Sequence, residues 1–260
     1  MDMPMPITMT LLFLGSYLIG SINGAKLITN VGLLAAFFGA EQDISKLGSG
    51  GAGTSNTGRT LGRKAAVAVL IWDMGRGALI AWIPRTVFGS PESITLICGI
   101  FAMVGHNWPI FFGFRGGKGI AIIAGTLLAL HPILTLVGIL SSGPLLFFKK
   151  QMSGFVPFVA IPVIFGLNAS SQYLQRQTLD WRLIAVGVAV LAVILVRRLC
   201  VEWEGFQQAA SKPASFLYLI IYDRPGNDPP PRLRLVDRFL AFLANQSRGP
   251  VMAFRHKVRR

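Results

Sequence analysis

The chain has 260 residues, of which 52% are hydrophobic and only 14% are charged. A soluble domain carries about 25% charged residues, so this composition excludes an ordinary soluble globular protein and favours a membrane protein. The formal net charge is +14, but the basic residues mostly flank apolar runs. Membrane topology and anionic lipid therefore explain the charge better than nucleic acid does, with phosphorylated substrates as the second explanation.

The first apolar run, 7–28, is about long enough to cross a bilayer, and we predict a retained span there rather than a cleaved signal peptide. Ser16, Gly20 and Gly24 recur at four-residue spacing, which predicts close packing against a neighbouring helix. Residues 33–39 are predicted to form an amphipathic or re-entrant piece.

A loop and a second span follow. Residues 48–56 include no large side chain, which excludes a lipid-facing span and predicts a loop. The second span is predicted at 65–83, where Pro84 would end it. Asp73 and Arg76 lie three residues apart on one face of this helix, and a structural ion pair is the favoured interpretation because isolated charges in a membrane are costly.

The third span is predicted at 93–112. His131 and Pro132 interrupt the next apolar stretch, which predicts two shorter crossing helices, at 119–130 and 133–148, joined by a tight turn. If this stretch formed one tilted span instead, every later segment would have the opposite orientation.

Two more spans are predicted at 154–167 and 183–196, with a polar loop at 168–180 between them and Arg197 and Arg198 closing the last span. With seven spans and the N-terminus outside, eleven lysines and arginines fall on the inner side and three on the outer side. The positive-inside rule favours this orientation, which also places the C-terminus in the cytoplasm.

The predicted fold class is therefore all-α, a polytopic integral membrane helix bundle of about seven transmembrane helices. The membrane domain covers 1–205, and 206–260 forms a basic cytoplasmic tail. Within the tail, 233–243 is amphipathic with basic flanks, which predicts an interfacial helix on an anionic leaflet.

Two glycine-rich segments, 48–59 and 105–119, carry basic residues and fall on the same predicted membrane face. Backbone N–H groups in glycine-rich turns form anion-binding concavities, and arginine and lysine add charge that suits phosphate. The pattern indicates a phosphate site. The alternative is that the two segments are flexible connectors, and that their basic residues only set the orientation of the protein in the membrane. It is not a P-loop, because Phe112 and Gly119 occupy the positions at which that motif requires glycine and a hydroxyl residue.

His106 is the histidine beside these segments, and it either acts as a general base on a hydroxyl or forms hydrogen bonds within the bundle. His131 is expected to be structural. The sequence has no Ser-His-Asp arrangement and no metal-ligand spacing, so we expect neither a metal nor a cofactor. In an acyl transfer, the nucleophile would be a substrate hydroxyl, while the protein supplies position, a base and charge stabilisation.

The two glycine-rich segments resemble the signatures of a known family. The run from Gly48 to Arg59, continued by Thr-Leu-Gly, resembles the first signature of the bacterial acyl-phosphate:glycerol-3-phosphate acyltransferases. The run from Gly105 to Gly119 resembles the second closely, with Gly-His, Pro, Phe and Gly-Gly-Lys-Gly at the family's spacing. The resemblance covers about residues 10–205.

The resemblance implies a multi-pass inner-membrane enzyme of phospholipid biosynthesis. It would move an acyl chain from acyl-phosphate to the 1-hydroxyl of glycerol 3-phosphate and release lysophosphatidate and inorganic phosphate. Its partners would be acyl-phosphate, glycerol 3-phosphate and membrane lipids. The alternative is a divergent non-catalytic relative or a membrane transporter of a lipid or phosphorylated small molecule. The sequence lacks the repeated halves typical of transporters, which favours the enzyme.

Site residues carried over by position fall into two sets. The implied catalytic residues are Ser49, His106 and Lys118. The implied substrate-binding residues are Arg59, Asn56, Gly116, Gly117 and Ser153. The arginine and the lysine would hold phosphate, the histidine would be the base or an orienting group, the asparagine and the glycines would shape the loops, and the second serine would lie near the phosphate site.

The sequence departs from the family at several positions. Gly51 stands where the family usually has asparagine, and Asn23 replaces a usual proline. When Arg198 is aligned with the Arg-Leu pair of the third signature, Ala192 and Leu195 occupy the positions of its histidine and asparagine. Two polar groups of the site are therefore expected to be missing, which implies altered activity or a different acceptor.

Overall fold

The computed structural model describes residues 5–141, 156–178 and 181–209, and every regular element within these ranges is helical. The α-helices, numbered here in chain order, are α1 Met5–Ser21, α2 Gly24–Asn30, α3 Gly32–Phe38, α4 Thr54–Thr60, α5 Arg63–Val87, α6 Glu92–Asn107, α7 Ile120–Leu130, α8 Pro132–Ser141, α9 Val156–Arg176 and α10 Trp181–Ala209. Short 3-10 turns lie at Ile44–Lys46 and Ile110–Phe112.

By length and composition, two helical segments in the described part of the chain can cross a bilayer. They are α5, with 25 residues, and the 21-residue segment Glu92–Phe112 that begins with α6. Helices α1 and α2 form a third candidate if the bent pair is one span. Helices α7 and α8 are apolar but shorter. The total of seven spans and the outside N-terminus stay predictions.

The predicted first span is bent by 44° between α1 and α2. Asn23 lies at the break and caps α2, because its side-chain Oδ1 accepts a 3.1 Å hydrogen bond from the backbone N–H of Lys26. A side-chain cap of this kind satisfies a backbone donor at the start of a helix and so favours a new helix at this residue. The span predicted over 7–28 is therefore a bent pair of helices and not one continuous helix.

Pro84 does not end the second span, because α5 continues to Val87. The proline lies in the last turn, where its missing N–H removes only one intrahelical hydrogen bond, and the helix completes that turn. The break predicted at His131 is confirmed, since α7 ends at Leu130 and α8 begins at Pro132.

The polar loop predicted at 168–180 is wrong, because α9 runs through most of it to Arg176. Asn168, 5% exposed, faces the interior, and its Nδ2 lies 2.9 Å from Nε2 of His131. The same imidazole nitrogen lies 2.9 Å from Oε1 of Glu92. Asn168 therefore has a polar partner at the turn between α7 and α8, and α9 can continue through this position. His131 has the structural contacts expected of it.

Glycines allow the helices that carry the site to pack closely. A Cβ on Gly20 of α1 would overlap the backbone of Ala102 on α6, and one on Gly105 of α6 would overlap the backbone of Tyr17. Likewise, at the crossing of α5 and α7, a Cβ on Gly77 would overlap the backbone of Ile122, and one on Gly125 would overlap the backbone of Met74. Small residues in membrane bundles allow this backbone approach. The crossing of α1 and α6 places the break after α1 beside the end of α6, where His106 lies.

Candidate active site

The two glycine-rich loops lie against each other. We call residues 48–53 the first loop and residues 115–119 the second loop. The backbone N–H of Ala52 donates a 3.2 Å hydrogen bond to the carbonyl oxygen of Gly116. A Cβ on Gly117 would overlap the carbonyl oxygen of Ala52 and the imidazole of His106. The structure therefore brings together the two glycine-rich segments that the sequence predicts to bind phosphate.

The first loop is shorter than predicted, because α4 begins at Thr54. Asn56 therefore lies on a helix, and its buried side chain folds the loop back onto that helix. Its Oδ1 accepts a 2.9 Å hydrogen bond from the backbone N–H of Ser49, and its Nδ2 donates a 2.9 Å hydrogen bond to the carbonyl of Leu47. Gly48 adopts a left-handed φ of +56° directly beside this amide. One asparagine thus sets the path of the loop.

Arg59 and Ser49 are brought together at the surface of this loop. Nη2 of Arg59 donates a 3.1 Å hydrogen bond to Oγ of Ser49. Arg59 is exposed and Ser49 is half-buried, so both can contact a ligand that arrives from solvent. The guanidinium and the hydroxyl form a polar edge on the first loop.

The second loop depends on glycines that leave no room for a side chain. A Cβ on Gly116 would overlap the carbonyl of His106, and the N–H of Gly117 donates a 3.1 Å hydrogen bond to that carbonyl. Gly119 has a left-handed φ of +70° and is the N-cap residue of α7. Between them, Lys118 is half-buried. The loop therefore crosses closely over the end of α6 and presents the lysine between two tightly packed glycines.

His106 is buried between an ion pair and the loops, with 2% of its surface exposed. Its Nδ1 lies 3.7 Å from Oδ1 of Asp73 and 3.4 Å from Nη2 of Arg76. The opposite nitrogen, Nε2, faces Gly117. Asp73 and Arg76 are hydrogen-bonded to each other, which confirms the predicted ion pair.

Arg76 also connects this cluster to the break after α1. Its Nη1 donates hydrogen bonds to the carbonyl oxygens of Ile19 at 2.9 Å and Gly20 at 2.8 Å. Carbonyls at the end of a helix have no intrahelical donor, and the guanidinium supplies one. The ion pair therefore fixes three helices, α1, α5 and α6, around the imidazole.

Arg197 contacts the site, which the sequence did not predict. It was predicted to be an inner-face charge at the end of the last span, but only 7% of it is exposed. Nε donates a 2.9 Å hydrogen bond to the carbonyl of Gly117, and Nη2 donates a 2.8 Å hydrogen bond to the carbonyl of Gly116. Its guanidinium carbon lies 5.6 Å from the ring centre of Trp108. A local sequence pattern gives no sign of contacts made across 80 residues.

Lys26 is likewise buried, 3% exposed, although it is one of the eleven lysines and arginines predicted to lie on the inner side. Its Nζ lies 2.7 Å from Oδ1 of Asp43 and donates a 3.0 Å hydrogen bond to Oγ of Ser45. Partial burial works to raise the pKa of Asp43, but hydrogen bonds from Lys26, Ser45 and Asn30 outweigh it and hold that pKa well below its ordinary value. This network ties the segment before the first loop to α2.

Ser153 and the interfacial helix predicted at 233–243 lie outside the described residues. Ala192 and Leu195, which the resemblance aligns with the polar residues of the third signature, lie on α10. Within the described ranges, no group of three or more His, Cys, Asp or Glu side chains is placed to hold a metal ion.

Comparison with known proteins gives one family. Residues 10–202 match the family model described as glycerol-3-phosphate acyltransferase. "Glycerol-3-phosphate acyltransferase 4" of Dehalococcoides mccartyi (strain CBDB1) is 31% identical over 215 residues, which are 80% of this chain and 85% of the relative. The glycerol-3-phosphate acyltransferase of Exiguobacterium sibiricum is 44% identical over 131 residues, 50% of this chain and 59% of the relative.

The fold is similar to that of a solved membrane protein. The crystal structure of PlsY (YgiH), an integral membrane glycerol 3-phosphate acyltransferase, in its glycerol 3-phosphate form matches with a TM-score of 0.61 and 24% identity over 78% of this chain and 92% of that one. The lysophosphatidic acid form of PlsY matches with a TM-score of 0.57. The predicted all-α, polytopic integral membrane helix bundle is confirmed as the fold class.

Proposed function

Because the chain belongs to the glycerol-3-phosphate acyltransferase family, we propose that it transfers an acyl group from an acyl-phosphate to the 1-hydroxyl of glycerol 3-phosphate in the cell's inner membrane. The observation that carries this proposal is the hydrogen bond between Ala52 and Gly116, which joins the two basic, glycine-rich loops into one site. The products are lysophosphatidate and inorganic phosphate, as required for phospholipid synthesis.

The reaction needs no nucleophile from the protein. The 1-hydroxyl oxygen of glycerol 3-phosphate forms the new ester bond to the acyl carbonyl carbon, and the bond from that carbon to the phosphate oxygen breaks. The phosphate leaves with the electron pair, and the hydroxyl proton passes to a phosphate oxygen or to solvent. Both substrates carry phosphate, so the site has to hold two anionic groups close together, and positioning and charge stabilisation supply the catalysis.

Arg59 and Lys118 are suited to that task. An arginine fork binds two phosphate oxygens at once, and a lysine adds a point charge. Arg59 already donates to Oγ of Ser49, and an arriving phosphate can take the place of that hydroxyl or bind beside it. Lys118 extends from the second loop, which touches the first. We propose that these residues hold the two phosphates, with Ser49 as a further donor.

His106 fits the role of an orienting group better than that of a base. Only 2% of it is exposed, Nδ1 faces Asp73, and Nε2 faces the backbone of Gly117. A general base has to come within hydrogen-bond reach of the hydroxyl from which it takes the proton. The buried imidazole instead supports the second loop from behind, so we propose that it fixes the position of Lys118.

Phosphate release tests the proposal. Purified protein would be given palmitoyl-phosphate and glycerol 3-phosphate, and we expect turnover that falls by about 100-fold or more in Lys118→Ala, as is typical when a group that stabilises developing charge is removed. Lys64→Ala removes the same charge from an exposed position at the start of α5 and is the matched control. Wild-type release no faster than that of Lys118→Ala would contradict the proposal.

A transport assay separates the enzyme from the transporter. Protein reconstituted into liposomes would be tested for uptake of labelled glycerol 3-phosphate without an acyl donor. We expect no protein-dependent uptake, because the two loops lie against each other beyond the C-terminal end of α6. Transporters instead hold their substrate near the middle of the bilayer. Uptake without acyl transfer would support the transporter instead.

A further inference from the structure

The carbonyl oxygen of Gly116 is where three parts of the chain meet. It accepts a 3.2 Å hydrogen bond from the backbone N–H of Ala52 in the first loop. It also accepts a 2.8 Å hydrogen bond from Nη2 of Arg197 on α10. A carbonyl oxygen has two lone pairs, so these two donors use its full accepting capacity. The geometry of both loops therefore depends on the direction in which this one carbonyl points.

Arg197 fixes that direction with two bonds at once. Nε holds the carbonyl of Gly117 at 2.9 Å, while Nη2 holds the carbonyl of Gly116. Consecutive glycines have more conformational freedom than any other pair, so a loop built on them needs outside contacts to keep one conformation. The planar guanidinium offers two donors in a fixed arrangement, which lysine cannot reproduce.

The guanidinium is itself held in place. It is 7% exposed and lies 5.6 Å from the ring centre of Trp108. The carbonyl of Trp108 accepts a 2.9 Å hydrogen bond from Oη of Tyr17 on α1. A charged side chain buried in a membrane protein marks a functional position more often than a packing one, since its burial is costly. Its two bonds go to the residues immediately before Lys118.

We infer that Arg197 is a positioning residue of the acyl-transfer site: it holds the carbonyls of Gly116 and Gly117 and thereby sets the place of Lys118 relative to the first loop. The inference rests on the proposed function. It also gives α10 a part in the site although Ala192 and Leu195 replace the polar residues of the third signature.

The test compares Arg197→Lys, which keeps the charge and loses the paired donors, with Arg182→Lys, the same substitution at an exposed position near the start of α10. In the palmitoyl-phosphate assay we expect Arg197→Lys to lower kcat/KM at least tenfold, with a thermal midpoint close to that of the wild type. Arg182→Lys should match the wild type in both respects. Wild-type kcat/KM in Arg197→Lys overturns the inference.

A double-mutant cycle shows whether Arg197 acts through Lys118. If it does, adding Arg197→Lys to Lys118→Ala causes almost no further loss, because the group being positioned is already gone. A residue that only stabilises the bundle would instead lower the rate by the same factor in both backgrounds, and that result would overturn the inference.

Hydrogen exchange gives a readout that does not depend on turnover. In Arg197→Gln we expect faster amide exchange in peptides that cover the first and second loops, and unchanged exchange in α5. Unchanged exchange in both loops overturns the inference even if activity falls. An inactive wild type would contradict the proposed function together with this inference, whereas an active wild type with an unaffected Arg197→Lys contradicts the inference alone.

Discussion

The side-chain amide of Asn23 donates a 2.9 Å hydrogen bond to the carbonyl oxygen of Ala52, 29 residues further along the chain. The same side chain caps α2 through its oxygen, so one buried asparagine links the break after α1 to the first loop. The proline that the family resemblance leads us to expect at this position has neither the side-chain donor for the bond to Ala52 nor the side-chain acceptor for the cap. The side chain of Asn23 therefore helps to hold the first loop in place.

Replacing Asn23 should cost stability in two separable parts. Asn23→Ser keeps an oxygen that can cap α2 and loses the bond to Ala52, while Asn23→Ala loses both. We expect a loss of about 1–2 kcal/mol for the serine variant, because a buried carbonyl is left without its donor, and about 1 kcal/mol more for the alanine variant, because the cap is also lost. Urea unfolding in detergent measures both, and equal stability of the two variants would contradict the cap.

A methyl group at position 117 should lower activity. Gly117→Ala places a Cβ against the imidazole of His106 and the carbonyl of Ala52, so the two loops have to separate. We expect at least a tenfold fall in kcat/KM. Gly75→Ala is the matched control, because no atom lies within 4 Å of the added Cβ on that face of α5. Activity of Gly117→Ala equal to that of the control would mean that close contact of the loops is not needed.

The proposed orienting role of His106 predicts an order among its variants. Glutamine keeps a polar group of similar reach that can face Asp73, but it cannot take up a proton at neutral pH. If His106 supports the loop, His106→Gln retains more activity than His106→Ala. Loss in both variants to the same low rate, measured as phosphate release, would favour a general base instead.

Asp43 should make stability depend on pH in the acid range. Its folded pKa lies below its ordinary value of 3.8, so its network stabilises the fold fully above about pH 4, and this contribution is lost as the pH falls further. We expect Asp43→Asn to unfold at a lower temperature than the wild type at pH 7, with the difference shrinking at pH 3. A difference that stays constant between the two pH values would contradict the network.

The sequence predicts features that depend on local composition. Residues 48–53 form a loop because small residues have no apolar side chain to place in lipid, and the helices part at His131 because a proline follows it. Asp73 and Arg76 pair because they lie one helical turn apart. In these cases the deciding interaction lies within a few residues.

Features that depend on distant partners were not predictable in this way. The polar character of the segment around Asn168 predicts a loop, and the contact with His131 that allows a helix there comes from 37 residues away. From the sequence, Arg197 and Lys26 are interpreted as exposed charges that set membrane orientation, because positive residues at the ends of spans are common. Nothing near them in the chain indicates that they are buried. The contacts that bury them come from helices whose arrangement the sequence alone did not fix.

The ratio of the two products tests whether the protein carries out the proposed acyl transfer. Purified protein would be incubated with palmitoyl-phosphate and glycerol 3-phosphate, and lysophosphatidate and inorganic phosphate would be quantified in the same samples. The proposed acyl transfer predicts one lysophosphatidate for each phosphate released, with both products lost together in Lys118→Ala. Phosphate release without lysophosphatidate, or lysophosphatidate formed only when acyl-CoA replaces acyl-phosphate, would contradict it.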